Sequence, residues 1–240
     1  MASSKRTLSK LLSSAKGRTG AARSIRDGTA ALRDGDLAEA LKAYNTATEA
    51  DPGNAFAWNN KGVVLENLGR SEEALRCHNR AIKLRPDYVE AWVNKAVALL
   101  HMGNLDRAKA ALEVASELAP DHELVWSNRG ILFGRQGQYE DALTCFERAL
   151  AADPEYTPAL MNKGSALAAL GRTDEAIECY NGVLKKRPDF ADAWFHKGRI
   201  LLEAGRPKAS ILCFEKALEY SPNFDAAREL LAQARTRGAE

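Results

Sequence analysis

The sequence predicts an all-α chain of tandem helix–turn–helix units, and three observations carry that prediction. Six prolines (Pro52, Pro86, Pro120, Pro154, Pro188 and Pro222) stand 34 residues apart, with nothing inserted or deleted between them. Six glycines keep the same period at Gly35, Gly69, Gly103, Gly137, Gly171 and Gly205. Between these two columns, small and aromatic residues recur at fixed offsets. A period of roughly 20–50 residues marks an architecture in which each unit buries its apolar face against its neighbours.

With each proline placed at repeat position 32, the units span 21–54, 55–88, 89–122, 123–156, 157–190 and 191–224. A first helix, A, is predicted at positions 1–14. The glycine at position 15 ends it, because a chain reversal there needs the left-handed conformation that glycine reaches without a side-chain clash. A second helix, B, is predicted at about 17–30 and is closed by the proline, which cannot continue a helix. Position 8 is glycine (Gly28, Gly62, Gly130, Gly164, Gly198) except for Ala96. Position 20 is alanine five times (Ala40, Ala74, Ala108, Ala142, Ala176) and Ser210 once, and position 27 is mostly alanine. Such residues let helix backbones approach closely. All four tryptophans (Trp58, Trp92, Trp126, Trp194) occupy position 4, where a large flat side chain is expected to fill the space the small residues leave. After the last proline, residues 225–237 read as one more A-type helix, with Ala227, Leu230, Leu231 and Ala234 on one face. This is expected to cap the final repeat.

The pattern of a large residue at 4, Gly at 8, Ala at 20, an aromatic at 24 (Tyr44, Phe146, Tyr180, Phe214), Ala at 27 and Pro at 32 resembles the tetratricopeptide repeat family. The resemblance covers residues 21–224 six times in one register. Repeat 1 departs at Ser24 and Asp27, and repeat 3 at Ala96 and Leu112. The resemblance implies a right-handed α-solenoid superhelix, closed here by the C-terminal capping helix, whose concave groove receives an extended peptide or a partner helix.

Charge and composition narrow the function classes. The 34 basic and 32 acidic residues leave a net charge of +2, too balanced for the whole molecule to read as a nucleic-acid binder. Residues 1–26 hold seven cations and no acid, so the remainder carries 27 minus 32, or −5. The basic, Ser-rich segment 1–20 stands apart, and residues 7–16, with Leu8, Leu11, Leu12 and Ala15 in helical spacing, predict a basic amphipathic stretch. A tail of this kind fits several roles: a flexible or capping segment, an organelle-targeting sequence, or an attachment to nucleic acid or anionic lipid. No run reaches the length of a membrane span, and a secretory leader pattern is lacking. A cytoplasmic location and a monomer are the expectations.

Catalytic and metal chemistry find little support in the pattern. Cys77, Cys145, Cys179 and Cys213 all fall at position 23 and are separated by whole repeats. Helices pack ~8–10 Å apart, whereas a zinc site brings sulfur within about 2.3 Å of one metal. They are expected to be reduced packing residues. His78, His101, His122 and His196 fall at four different positions, and phosphate-loop and nucleophile motifs are absent as contextual units. No enzyme activity, metal or cofactor is expected.

A binding surface is then sought on helix A. At 100° per residue, positions 3, 4, 7, 8, 10 and 11 span one arc, expected to pack, and 2, 5, 6, 9, 12 and 13 span the other. The resemblance assigns the second arc to the groove. Position 6 there is Asn60, Asn94, Asn128 and Asn162. An amide offers a donor and an acceptor, so such a column suits an extended backbone, although it also suits a purely structural role. Beside it lie Phe56 and Leu124 at position 2, Val93 and Met161 at position 5, and Val63, Val97 and Ile131 at position 9. A contiguous apolar strip of this kind marks either an interaction site or burial between neighbouring A helices. Family members that clamp a carboxylate terminus use Lys at 5 with Asn at 9. Asn59 with Val63, and Val93 with Val97, stand there instead. Position 7 holds Lys61, Lys95, Arg129, Lys163 and Lys197 on the packed arc, where acids such as Glu73, Asp141 or Glu175 are the expected partners. The function read from the sequence is a scaffold for a protein or peptide partner. The alternative is a nucleic-acid- or membrane-associated adaptor acting through the tail.

Overall fold

The computed structural model describes residues 19–238, so the amphipathic stretch predicted at 7–16 lies outside the described residues. Two compact units divide the chain, Met1–Pro120 and Asp121–Glu240. In the first, helix α1 (19–33) is followed by α2 (Leu37–Ala50), α3 (Ala55–Asn67), α4 (Ser71–Leu84), α5 (Val89–His101) and α6 (Leu105–Leu118). The second holds α7 (Glu123–Arg135), α8 (Tyr139–Ala152), α9 (Thr157–Ala169), α10 (Thr173–Lys186), α11 (Ala191–Glu203), α12 (Pro207–Tyr220) and α13 (Asp225–Gly238). The described residues form helices and no strand, an all-α helical-repeat solenoid fold. Odd-numbered helices are of type A and even-numbered ones of type B.

Local chemistry sets these boundaries. All six position 15 glycines have positive φ, between 71° and 79°. Beside each, the N–H of position 16 reaches back to the carbonyl of position 11, as in Arg70 to Leu65 at 2.8 Å and Arg206 to Leu201 at 2.8 Å. That bond satisfies a carbonyl the helix end would otherwise orphan. Asp36, Asn54 and Asn104 cap the following helices by accepting from backbone N–H groups three residues on.

Small residues line the helix contacts both within a hairpin, at position 20, and between one repeat and the next, at position 3. Ala40, Ala74, Ala108, Ala142 and Ala176 at position 20 are fully buried, as are Ala57, Ala91, Val125, Ala159 and Ala193 at position 3. The space opposite the position 8 glycines belongs to column 24, not to tryptophan as the sequence suggested. A methyl group added at Gly28, Gly62, Gly130, Gly164 or Gly198 would come within 3.0 Å of the ring of Tyr44, His78, Phe146, Tyr180 or Phe214. The exception follows the same rule, since Ala96 is matched by ringless Leu112, and both are buried.

The tryptophans do different work. Each is only partly buried, and the indole N–H of Trp58, Trp92 and Trp194 donates to the carbonyl of Pro52, Pro86 and Pro188 at 2.8–3.0 Å. Proline ends the preceding helix, and tryptophan ties that end to the next. The position 7 cations lie over these rings, with Lys61, Lys95, Arg129 and Lys197 at 4.8–5.3 Å from the indole of Trp58, Trp92, Trp126 and Trp194. The expected acids are engaged otherwise, Glu73 with Arg70 and Glu175 with Arg172. In repeat 5, where Leu160 replaces tryptophan, Lys163 pairs with Glu147 at 3.0 Å. A partly buried cation thus takes an aromatic face where one exists and a carboxylate where none does.

Helix α13 closes the second unit. Ala227, Leu231 and Ala234 are buried against Leu202, Phe214 and Ala217, while Arg228, Glu229 and Gln233 face outward. Arg228 occupies repeat position 4 and donates to the Pro222 carbonyl at 2.8 Å, standing in for tryptophan.

Candidate functional site

The groove arc of the A helices carries the predicted residues, and the structure sorts them. In the first unit Phe56 is 45% exposed, Val63 and Val97 are partly buried, and Val93 keeps only 2% of its surface. Val93 therefore belongs to the core, because position 5 turns toward the neighbouring A helix. The Asn60 amide donates to the Phe56 carbonyl at 3.1 Å, and the Asn94 amide donates to Asn59 Oδ1 at 3.1 Å.

Asn59 Oδ1 also lies 3.0 Å from His78 Nδ1. An amide oxygen only accepts, so Nδ1 carries the proton and Nε2 presents a lone pair, buried without a partner. Burial lowers the His78 pKa from 6.5 to about 4 and keeps the ring neutral. At the far end of the same arc, Glu66 joins α3 to α5 by accepting from His101 Nδ1 at 2.6 Å, and it also accepts from Ser71 Oγ at 3.3 Å.

In the second unit Leu124, Ile131 and Met161 are partly buried, and Asn128 is buried with its amide donating to the Leu124 carbonyl at 2.8 Å. Asn162 differs from the other three, since its amide makes no hydrogen bond within the described residues. It lies between two cavities, one on each side of α9. The first, 220 Å³, is walled by α7, α8 and α9 and lined by Ile131, Gly134, Arg135, Tyr139, Phe146 and Ala166 together with Asn162 and Ser165. The second, 430 Å³, shares Asn162 and Ser165 and adds Met161, Arg187, Phe190, Asp192 and His196.

The walls of the second cavity are ordered by ring contacts. Arg187 lies 4.4 Å over the Phe190 ring, and His196 stacks on Tyr180 with 5.9 Å between centroids. Burial, aided by nearby Arg199 and opposed by Asp192, lowers the His196 pKa. Its Nδ1 is buried and unpartnered. Of these cavity residues the sequence singled out Ile131, Met161 and Asn162. It missed Gly134, although a signal was present: position 12 is Leu32, Glu66, Leu100, Ala168 and Leu202 elsewhere, and glycine only here.

Outside the arc, the four thiols are unpaired. Burial raises the pKa of each, and three of the four residues are fully enclosed. Among the described residues no helix is long and apolar enough to cross a membrane.

The helical hairpins, the glycine and proline columns and the groove arc together define a helical-repeat protein. Comparison identifies which one: the tetratricopeptide repeat family matches residues 55–88, 87–155, 128–189 and 162–223, and the chain belongs to that family. No curated protein sequence matches it. Similar solved structures include a chain of the APC/C hetero-tetramer Cut9–Hcn1 (20% identity, 89% of this chain and 42% of that one, TM-score 0.78). The present chain thus spans less than half of that chain. PilW, a widely conserved type IV pilus biogenesis factor, matches at 20% identity over 88% of this chain and 98% of its own, with TM-score 0.74. YrrB, a tetratricopeptide protein with an unusual peptide-binding site, matches at 22% identity over 79% and 97%, with TM-score 0.54. At these identities the likeness concerns the fold.

Proposed function

We propose that this chain is a non-enzymatic scaffold that holds an extended segment of a protein partner against the groove arc of its A helices. The family is in general one of non-enzymatic interaction scaffolds, and YrrB shows that the fold can carry a peptide site. The observation that carries the reading here is Asn162, an amide with no internal partner between two cavities on one helix. Its free donor and acceptor match the two groups of a peptide unit, and the cavities offer room for side chains on either side. Asn60 and Asn94 each spend one N–H on the scaffold and keep their remaining groups for a ligand, while the buried Asn128 amide serves the scaffold. Phe56, Val63, Val97, Leu124, Ile131 and Met161 supply apolar contact.

The test begins with capture of partners by the full chain, followed by titration of the isolated partner. A net hydrogen bond contributes ~0.5–1.5 kcal/mol, so Asn162→Ala should weaken binding by about two- to tenfold. Ile131→Asp should weaken it more, by placing a charge among apolar contacts. Unchanged affinity in both variants, with helix content preserved, would remove the groove from consideration.

A further inference from the structure

The glycines of the A helices fall into two kinds. Those at position 8 are demanded by a facing ring, but a methyl group added at Gly134 meets nothing within 4 Å. Gly134 lies in the last turn of α7, where glycine lowers helix stability relative to alanine and no close approach requires it. At the same position, Leu202 is a buried side chain that packs in one cluster with Ala227, Leu231 and Ala234 of the next A helix, and Leu100 is buried as well. Gly134 places no side chain there, and the 220 Å³ cavity is the result. Gly182 in α10 is similarly unforced but lines neither cavity on α9.

The cavity has a definite chemistry. Ile131, Tyr139, Phe146 and Ala166 make it apolar, and an apolar cavity of ~150 Å³ is already enough to take up benzene. Arg135 is the one charged residue that lines it, and no acid does. Across Asn162, Arg187 in the second cavity makes no ion pair with any described carboxylate. Local charge on this stretch of the arc therefore favours an anion beside an apolar group, with Asp192 in the second cavity as the opposing charge on the far side.

We infer that the cavity opened by Gly134 is an anchor site for one large apolar side chain of the partner segment, aromatic or leucine-sized, with a carboxylate next to it. This rests on the groove reading above and specifies its occupant. The anchor fills the position that leucine fills within other repeats, Asn162 bonds the adjacent peptide unit, and Arg135 meets the carboxylate. The α7–α9 junction then selects its ligand by shape, whereas Asn60 and Asn94 grip backbone without regard to sequence.

Two small probes test this on the full chain by amide chemical-shift titration: N-acetylphenylalanine, which joins a phenyl ring to a carboxylate, and the uncharged N-acetylphenylalaninamide. Saturable shifts centred on Ile131, Gly134, Tyr139 and Ala166 are expected, several-fold tighter for the carboxylate. Gly134→Leu, which installs the residue of repeats 1, 3 and 6, should abolish them while keeping or raising the melting temperature. Gly134→Ala, a smaller change, should weaken them, and Arg135→Gln should erase the preference for the carboxylate. Absence of saturable shifts in the wild type, unchanged binding in a folded Gly134→Leu, or an equal response to both probes would overturn the inference. The two readings separate cleanly. Partner binding that is lost in Asn162→Ala but kept in Gly134→Leu leaves the groove standing without the anchor. Probe binding lost in Gly134→Leu, with partner binding indifferent to Asn162→Ala and Ile131→Asp, leaves the anchor cavity without the groove.

Discussion

At the scale of single residues, the fold is governed by a matched pair of columns. A ring at position 24 and a bare Cα at position 8 are two halves of one contact, so the cost of adding a methyl group depends on which glycine receives it. Gly164→Ala would place Cβ 2.8 Å from the Tyr180 ring, and overpacking of this kind costs ~1–3 kcal/mol. Gly182→Ala, with nothing within 4 Å inside α10, should instead stabilise by ~0.5–1 kcal/mol; urea titrations of the two variants check the opposite signs. His78 is the polar member of the ring column, buried and holding Asn59 through Nδ1. Its folded pKa, about 4, lies below the ordinary 6.5, so the unfolded chain takes up a proton first as pH falls. The stability that the neutral ring contributes is complete above about pH 6.5 and is lost as pH drops toward 4, a change on the order of 3 kcal/mol at ~1.36 kcal/mol per pH unit. His78→Phe, the residue of repeats 4 and 6, should flatten unfolding free energy between pH 4 and 6.5 and remove the unpartnered Nε2. A slope equal to that of the wild type would place the titrating group elsewhere.

At the scale of the element, the join between one repeat and the next is a three-part clip of proline carbonyl, indole and cation. Trp92 donates to Pro86 and carries Lys95 on its face. Lys95 is also desolvated by burial, which lowers its pKa, so the ring compensates for water it has lost. A double-mutant cycle on Trp92→Leu and Lys95→Ala should return a coupling of ~0.5–2 kcal/mol, and Leu160 shows that leucine is accommodated at this position. Additive effects would reduce the stacking to coincidence. Helix ends were legible in the sequence because glycine and proline act on their own backbone: the B helices run over positions 17–30 as predicted, and the A helices of the six repeats end one residue early, at 13. The partners of the position 7 cations were not legible. A wheel assigns each residue a direction, but a long side chain in a helix reaches back over the preceding turn, onto the residue three earlier. Val93 failed for a related reason. The wheel places it on the groove arc and says nothing of the neighbouring helix that covers it. The first cavity on α9 depends on what is missing at Gly134, whose signal in the sequence is the single glycine of column 12.

At the scale of the whole molecule, packing is local in sequence. Within each unit the helices meet chiefly the next helix in the chain, and several A helices also meet the following A helix. Stability of such a fold is close to a sum of repeat and nearest-neighbour terms, so an end repeat depends on its cap. Removal of residues 225–240 should expose Phe195, Leu202, Phe214 and Phe224, lower the unfolding midpoint, and produce concentration-dependent light scattering that the full chain lacks. A truncated chain with no added scattering and an unchanged midpoint would deny α13 its capping role. The thiols give a second global check. Cys77, Cys145 and Cys213 are enclosed and their pKa values raised by burial, so a thiol reagent at neutral pH should modify Cys179 first and the others only as fast as the native structure opens.

The clip between indole and proline carbonyl has an optical consequence. Trp58, Trp92 and Trp194 each hold the bond that defines one junction, and each has a cation over its ring, a charge that shifts the energy of the excited indole. Opening of a junction releases both at once and admits water to one fluorophore while the rest stay as they are. Variants that keep a single tryptophan, with leucine at the other positions as in repeat 5, would therefore report the opening of one junction at a time. Three emission signals, read separately, would resolve the opening of these three junctions in ordinary intrinsic fluorescence, with no label added.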